Sequence, residues 1–286
     1  MPSDYVAIRA DNERKYGTDI GRIGPMLLAN RYDDRTHFII ELLQNAEDAF
    51  AKRRGWEGRR AVEFELLEDS LRVSHFGKPF DEADVRGICG IAESTKELTD
   101  IGRFGIGFKS VYAFTDSPEV HSGDEHFAIE SFVWPNAIPS SKTKSGETVF
   151  WLPMRPDDHS AVMEIGSGLQ RLGARSLLFL REIEEISWSA SDGLSGIYLR
   201  GEPESLGVNT RKVSVIGEDH AIDGVTEESW IVFSREVRTE EGATVGFVEV
   251  AFALEADQAA QAAIQAITVS PLVVFSPQFY RRTWVS

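Results

Sequence analysis

One cysteine, Cys89, stands in 286 residues, which excludes an internal disulfide framework and any cysteine-rich zinc centre and suits a reducing compartment. The six histidines, His37, His75, His121, His126, His159 and His220, are scattered without HExxH spacing, so a protein cage for a transition metal is not expected. Positive charge is scarce: 30 Lys and Arg stand against 46 Asp and Glu, a formal net charge of -16. That balance repels phosphate backbones and anionic lipid in bulk, which makes bulk nucleic-acid binding a poor expectation. No apolar run of about 18 residues occurs. The N-terminal MPSDYVAIRADNERK carries charges where a signal peptide would have its apolar stretch. The chain reads as a soluble cytoplasmic protein without membrane association.

What is present is an ordinary globular mixture, 42% hydrophobic and 27% charged, enough for a substantial core in one large domain or two smaller ones. From Thr36 to Ala51 apolar residues recur at helical spacing, and Arg53, Arg54 and Gly55 follow as end signals. AVEFELLED and SLRVSHF alternate in the two-residue period of a β-hairpin with its turn at Glu68 to Ser70. Further helices are expected at Asp81–Ile91, Phe104–Phe114 and Asp158–Leu172, with strands at PEVHS, HFAIESFVW and ETVFWLP. Beyond them GIYLR, RKVSVIG, ESWIVFSREV and TVGFVEVAFALE read as strands, DQAAQAAIQA as a helix and SPLVVFSPQF as a last strand. Strands with helices interspersed and no repeating βα rhythm imply an α+β fold. We expect a domain over residues 1–190 and a β-rich C-terminal region over 191–286.

Two stretches carry chemistry. ELLQNAEDA places Glu41, Asn45 and Asp48 at i, i+4 and i+7, on one stripe of a helix whose other side is Leu42, Leu43, Ala46 and Ala49. Alone, this pattern also fits an amphipathic helix with a solvated side. GRFGIGFKS, Gly102 to Ser110, departs from a P-loop because Phe108 separates Gly107 from Lys109. It also departs from a dinucleotide fingerprint, since Ser110 stands where the third glycine belongs. Glycines before a helix still let backbone amides approach an anion at the positive end of the helix dipole, although turn glycines in this setting are common.

Together, ELLQNAEDA and, some sixty residues later, IGRFGIGFKS resemble the GHKL superfamily of ATPases: gyrase B, the heat-shock chaperones, histidine kinases and MutL. YDDRTHFIIELLQNAEDA, GKPFDEADVRGICGI and IGRFGIGFKSVYAFTD are most similar to the sacsin-type branch and its bacterial relatives, over about residues 20 to 155. The resemblance implies a Bergerat-type two-layer α/β sandwich with a mixed, mainly antiparallel sheet, and the β-rich tail as a partial transducer domain. It implies ATP and Mg²⁺ as ligands and slow ATP hydrolysis. Residue by residue, it makes Glu41 the general base, Asn45 the Mg²⁺ ligand and Asp48 a support for the nucleotide or its waters. It places Gly102, Phe104, Gly105, Ile106, Gly107 and Phe108 around the β- and γ-phosphates. Thr148, in SGETVFWLP, matches an element that helps recognise the base, with Glu147 inserted before it.

Two departures bear on specificity. Where the superfamily has Asp-x-Gly, the Asp accepting from the adenine amino group, this sequence has His75, Phe76 and Gly77. A neutral imidazole can accept through one nitrogen, so adenine stays the favoured base with Gly77 giving it room. IAESTKELTD, Ile91 to Asp100, takes the place of a mobile lid, and Lys109 reads as a solvated surface lysine. No phospho-acceptor helix pair precedes the motifs, which argues against a histidine kinase. A nucleotide-gated interaction or dimerisation module with little or no hydrolysis, with a nucleotide-dependent homodimer as one form of it, is the alternative expectation.

Overall fold

The computed structural model describes residues 1–21, 34–91, 107–141, 143–219, 224–238, 242 and 244–254. Gly102, Phe104, Gly105 and Ile106, most of the expected lid, and the DQAAQAAIQA and SPLVVFSPQF segments lie outside the described residues.

Helix α1, Tyr5–Tyr16, is started by the Asp4 carboxylate, which accepts the Ala7 amide at 3.0 Å, and stopped by Gly17 at φ 74. It buries only Tyr5, Ile8 and Asn12. Helix α2, Phe38–Lys52, is entered through a 3-10 turn at Arg35–His37 in which the Asp34 carboxylate accepts from both the amide and the hydroxyl of Thr36. Helix α3, Glu82–Cys89, carries a capping box between Asp81 and Asp84, and helix α4 spans Ala161–Gln170.

The strands β1 (Ala61–Leu66), β2 (Ser70–His75), β3 (Glu119–Ser122), β4 (Glu125–Glu130), β5 (Trp134–Ala137), β6 (Thr148–Pro153), β7 (Glu185–Ala190), β8 (Ser195–Arg200), β9 (Glu204–Gly207), β10 (Thr210–Asp219), β11 (Thr226–Arg238) and β12 (Thr244–Leu254) form one 12-stranded sheet. Its order is β12-β11-β10-β8-β7-β1-β2-β6-β3-β4-β5, with β9 beside β10. All pairings are antiparallel except β1 with β7. The sheet is therefore mixed and mostly antiparallel, as an α+β chain requires, and it continues across residue 190 because β7 pairs with β8.

Register fixes one face as the core. Val62, Phe64 and Leu66 of β1 stand opposite His75, Val73 and Leu71 of β2, and these in turn oppose Thr148, Phe150 and Leu152 of β6. The apolar members of this face are buried, each such side chain contributing about 1.5–3 kcal/mol on removal from water. At one end the face turns polar: His75, Thr148, Ser122 and Glu125 lie in a single line of directly paired residues across β2, β6, β3 and β4. All four are buried.

Three expectations are corrected. Phe104–Phe114 was expected as an α-helix, but its described part, Gly107–Ala113, is a 3-10 helix. The Ser110 hydroxyl donates to the Gly107 carbonyl at 2.5 Å, an i to i+3 contact that matches the tighter winding. HFAIESFVW is two strands, because Ser131 (φ 48) and Phe132 (φ 71) turn the chain between β4 and β5. Lys109 is buried, 2% exposed, with its Nζ donating to the carbonyls of Ile88 at 2.7 Å and of Phe132.

Candidate functional site

The polar stripe of α2 is not a solvated side. Glu41 is 2% exposed and Asp48 9%, with Gln44 and Glu47 also buried and Asn45 half-buried. A buried carboxylate is costly without partners. Glu41 Oε1 lies 2.9 Å from His37 Nε2, one helical turn earlier. Its other oxygen faces Gly107: a Cβ built on Gly107 would lie 2.1 Å from Glu41 Oε2. Helix α2 and the start of the 3-10 helix thus meet so closely that a Cβ at residue 107 would force the Glu41 carboxylate to move.

Several contacts hold that approach. Arg35 at the entrance to α2 donates to the Ala113 carbonyl at 2.8 Å, at the far end of the 3-10 helix. It also pairs with Glu164 and Asp158 and lies over the Phe114 ring. On the other side of α2, Glu47 accepts the backbone N–H groups of Arg181, Glu182 and Ile183 at 2.6, 2.9 and 3.0 Å. Burial pushes the Glu47 carboxyl up from 4.5 despite these bonds. Phe108 turns its ring into the core against Phe150, centroids 5.6 Å apart, which leaves its backbone as the part able to meet a ligand.

The polar line at the end of the sheet lies beside the C-terminal part of α2. His75 sits between the rings of Phe50 and Phe150 at 5.9 and 6.1 Å. Its Nδ1 accepts the Gly77 amide at 2.9 Å. Burial, with the Arg53 charge as a smaller contribution, lowers its pKa from 6.5 to about 4, so the ring is neutral. Gly77 is required sterically, since a Cβ there would fall 2.5 Å from the Ala49 Cβ. Thr148, 0% exposed, shares a 2.5 Å hydrogen bond with Ser122, and the inserted Glu147 is taken up by Arg72 at 2.8 Å.

The structure therefore brings Glu41, Gly107 and Phe108 together, and His75, Gly77 and Thr148 together further along the same helix. It also reveals residues that periodicity did not single out. Arg53, read in the sequence as a helix-end signal, donates to the carbonyls of Phe76, Gly77 and Gly146 and stacks on Trp56. It ties the turn after β2 to the turn before β6. Among the described residues no group of three or more His, Cys, Asp or Glu side chains is arranged to hold a metal ion. No helix among them is long and apolar enough to cross a membrane.

A family model for the Sacsin domain matches residues 65–147. The chain is 34% identical to sacsin of Homo sapiens over 223 residues, 59% of this chain and 5% of sacsin. It is 30% identical to Protein NO VEIN of Arabidopsis thaliana over 140 residues, 46% of this chain and 5% of that protein. It is 25% identical to chaperone protein HtpG of Sulfurovum sp. over 178 residues, 51% of this chain and 28% of that chaperone. The chain thus spans a small part of the length of each of these relatives.

Proposed function

Because the chain is related, at modest identity, to the sacsin-type branch of the GHKL ATPases, we propose that it binds ATP with Mg²⁺ in a Bergerat-type site and hydrolyses it slowly. The observation that supports this reading is the approach of Gly107 to the Glu41 carboxylate, which sets the described end of the glycine-rich stretch against the helix that carries the other motif. Glu41 takes a proton from the attacking water and orients it toward the γ-phosphate. Asn45, on the same stripe one turn further along, offers its amide oxygen to Mg²⁺, a hard cation commonly held by few protein ligands. When bound, the ion neutralises charge along the triphosphate. Asp48 supports the nucleotide side of the helix, and the amides of Gly102 to Phe108 receive the β- and γ-phosphates. His75, Gly77 and Thr148 form the base end. In this reading residues 1–190 are the nucleotide-binding domain and the β-rich remainder is a partial transducer.

A second reading, a nucleotide-gated homodimerisation module with negligible hydrolysis, is favoured by the His37 to Glu41 contact of 2.9 Å, which engages the base. Titration calorimetry with ATP, ADP and GTP, with and without Mg²⁺, tests the site, and phosphate release separates the two readings. ATPase activity is expected to persist in the wild type and vanish in Glu41→Ala with affinity kept, whereas Asn45→Ala loses the Mg²⁺-dependent part of binding. Equal phosphate release by wild type and Glu41→Ala overturns the hydrolytic reading.

A further inference from the structure

The buried polar line His75, Thr148, Ser122 and Glu125 is unusual on the core face of a sheet, and its members differ in how they are satisfied. Glu125 accepts from Ser3 and Tyr5, while Thr148 and Ser122 bond each other and Ser122 also accepts the Phe80 amide. His75 is different. Its Nδ1 lone pair receives the Gly77 N–H, and a backbone amide can only donate. In a neutral imidazole the ring proton must then reside on Nε2. Among the described residues Nε2 has no hydrogen-bond partner, although His75 is 3% exposed and hemmed by Phe50 and Phe150. Nε2 is not one of the buried side-chain atoms left without a partner, so its N–H keeps access to solvent, and a ligand acceptor can take the place of water there.

We propose that His75 is a specificity-determining residue that donates, through Nε2–H, to an acceptor on the nucleobase edge, so that the site takes 6-oxopurine as well as 6-aminopurine triphosphates. This rests on the nucleotide-site reading above and changes its expected selectivity. Accepting the adenine amino group through His75 would require the nitrogen that Gly77 already occupies. A ring N–H donor instead matches N1 of adenine or O6 of hypoxanthine and guanine, and sets no demand for an exocyclic amino group. A carboxylate in the same place would do the reverse, accepting from an amino group and repelling a carbonyl oxygen. Arg53 strengthens the arrangement by donating to the Phe76 carbonyl, which fixes the peptide whose amide sets the tautomer.

ATP and inosine triphosphate differ only at this edge, which makes them the probes. Calorimetric titration of the full chain with each, in Mg²⁺, is expected to give affinities within about threefold of one another, and His75→Asp is expected to shift the ratio toward ATP by about tenfold or more. Binding of ATP tenfold or more tighter than inosine triphosphate by the wild type overturns the donor assignment and leaves the nucleotide site standing. Binding of neither removes the site and the assignment with it. Imidazole ¹⁵N spectra of the wild type provide a readout independent of the variant: the Nε2-protonated tautomer is expected, with its N–H resonance moved by both nucleotides. An Nδ1-protonated ring overturns the proposal.

Discussion

Gly107 lies against the carboxylate of Glu41, at a separation where a Cβ on residue 107 would be 2.1 Å from Oε2. Relief requires the buried Glu41 carboxylate to swing away from residue 107 and disturb its bond to His37. Gly107→Ala is therefore expected to destabilise the protein by about 1–3 kcal/mol through overpacking. In a Glu41→Ala background the obstructing carboxylate is gone and the same substitution should be nearly neutral. A urea-denaturation cycle over the four proteins checks this, with a coupling of about 1 kcal/mol or more expected for residues in contact. Additive effects would show that the two motifs do not touch.

How this site could be seen in the sequence depended on the kind of signal each part leaves. Helix α2 has a strong 3.6-residue pattern in Phe38, Ile39, Leu42, Leu43, Ala46 and Phe50, and the β1–β2 hairpin alternates cleanly, so both are found where expected. Helix α1 leaves little trace in the sequence because its buried face is Tyr5, Ile8 and Asn12, two apolar residues and an amide that donates to the carbonyls of Cys89 and Val133. Strand β7 leaves no local signal, since EISWSA places its apolar residues on a face shared with distant β1, a pairing no local pattern announces. Glu41, Asn45 and Asp48 could be placed on one stripe by spacing alone. That the stripe is covered rather than wet at Glu41 depends on Gly107, and the burial of Glu47 on the other side of the helix depends on the chain around residue 181, both of which only tertiary contact supplies.

Glu47 belongs to that second group. Its carboxylate gathers three consecutive backbone N–H donors from residues 181–183 and so fastens α2 to the segment leading into β7. Glu47→Ala leaves those donors buried and unmet, and a loss of about 3 kcal/mol or more is expected. Glu47→Gln keeps one acceptor oxygen but turns an amide NH₂ toward an N–H, so an intermediate loss should follow. Urea midpoints for the three proteins give the order, and an Ala variant as stable as wild type would remove the fastening role.

His75 makes stability depend on acid. Its pKa falls from 6.5 to about 4 in the fold, so between those values the unfolded chain binds a proton that the folded chain refuses. Stability is then fully present above pH 6.5 and is lost as pH falls toward 4, the contribution reaching about 3 kcal/mol. Comparing wild type with His75→Asn, whose amide oxygen can still accept from Gly77, isolates this contribution from the carboxylates. The wild type is expected to lose stability more steeply between pH 6.5 and 4; parallel curves would mean that the ring charges without cost.

Lys109 poses the opposite problem at alkaline pH. It holds the carbonyls of Ile88, in the last turn of α3, and of Phe132, a residue with φ 71 in the turn between β4 and β5. A non-glycine residue in that conformation costs free energy, and the ammonium is one contact that fixes it. Burial lowers the Lys109 pKa from 10.5 to about 8. In the window between these values the unfolded chain carries more protons, so this group adds stability as pH rises from 8 to 10.5, by about 3 kcal/mol at most. Below pH 8 the lysine is charged in both states and still donates to both carbonyls. Lys109→Ala orphans both acceptors and opens a void beside Tyr112, with an expected loss of about 2–4 kcal/mol at neutral pH. Lys109→Met fills the void but not the carbonyls, so it should recover part of that loss. It should also abolish the alkaline gain, so the stability difference from wild type widens between pH 8 and 10.5. Because Gly107–Ala113 carries both Lys109 and the glycine beside Glu41, the Ala variant should weaken triphosphate binding as well. A variant with reduced stability but unchanged Mg·ATP affinity would separate the buried lysine from the site.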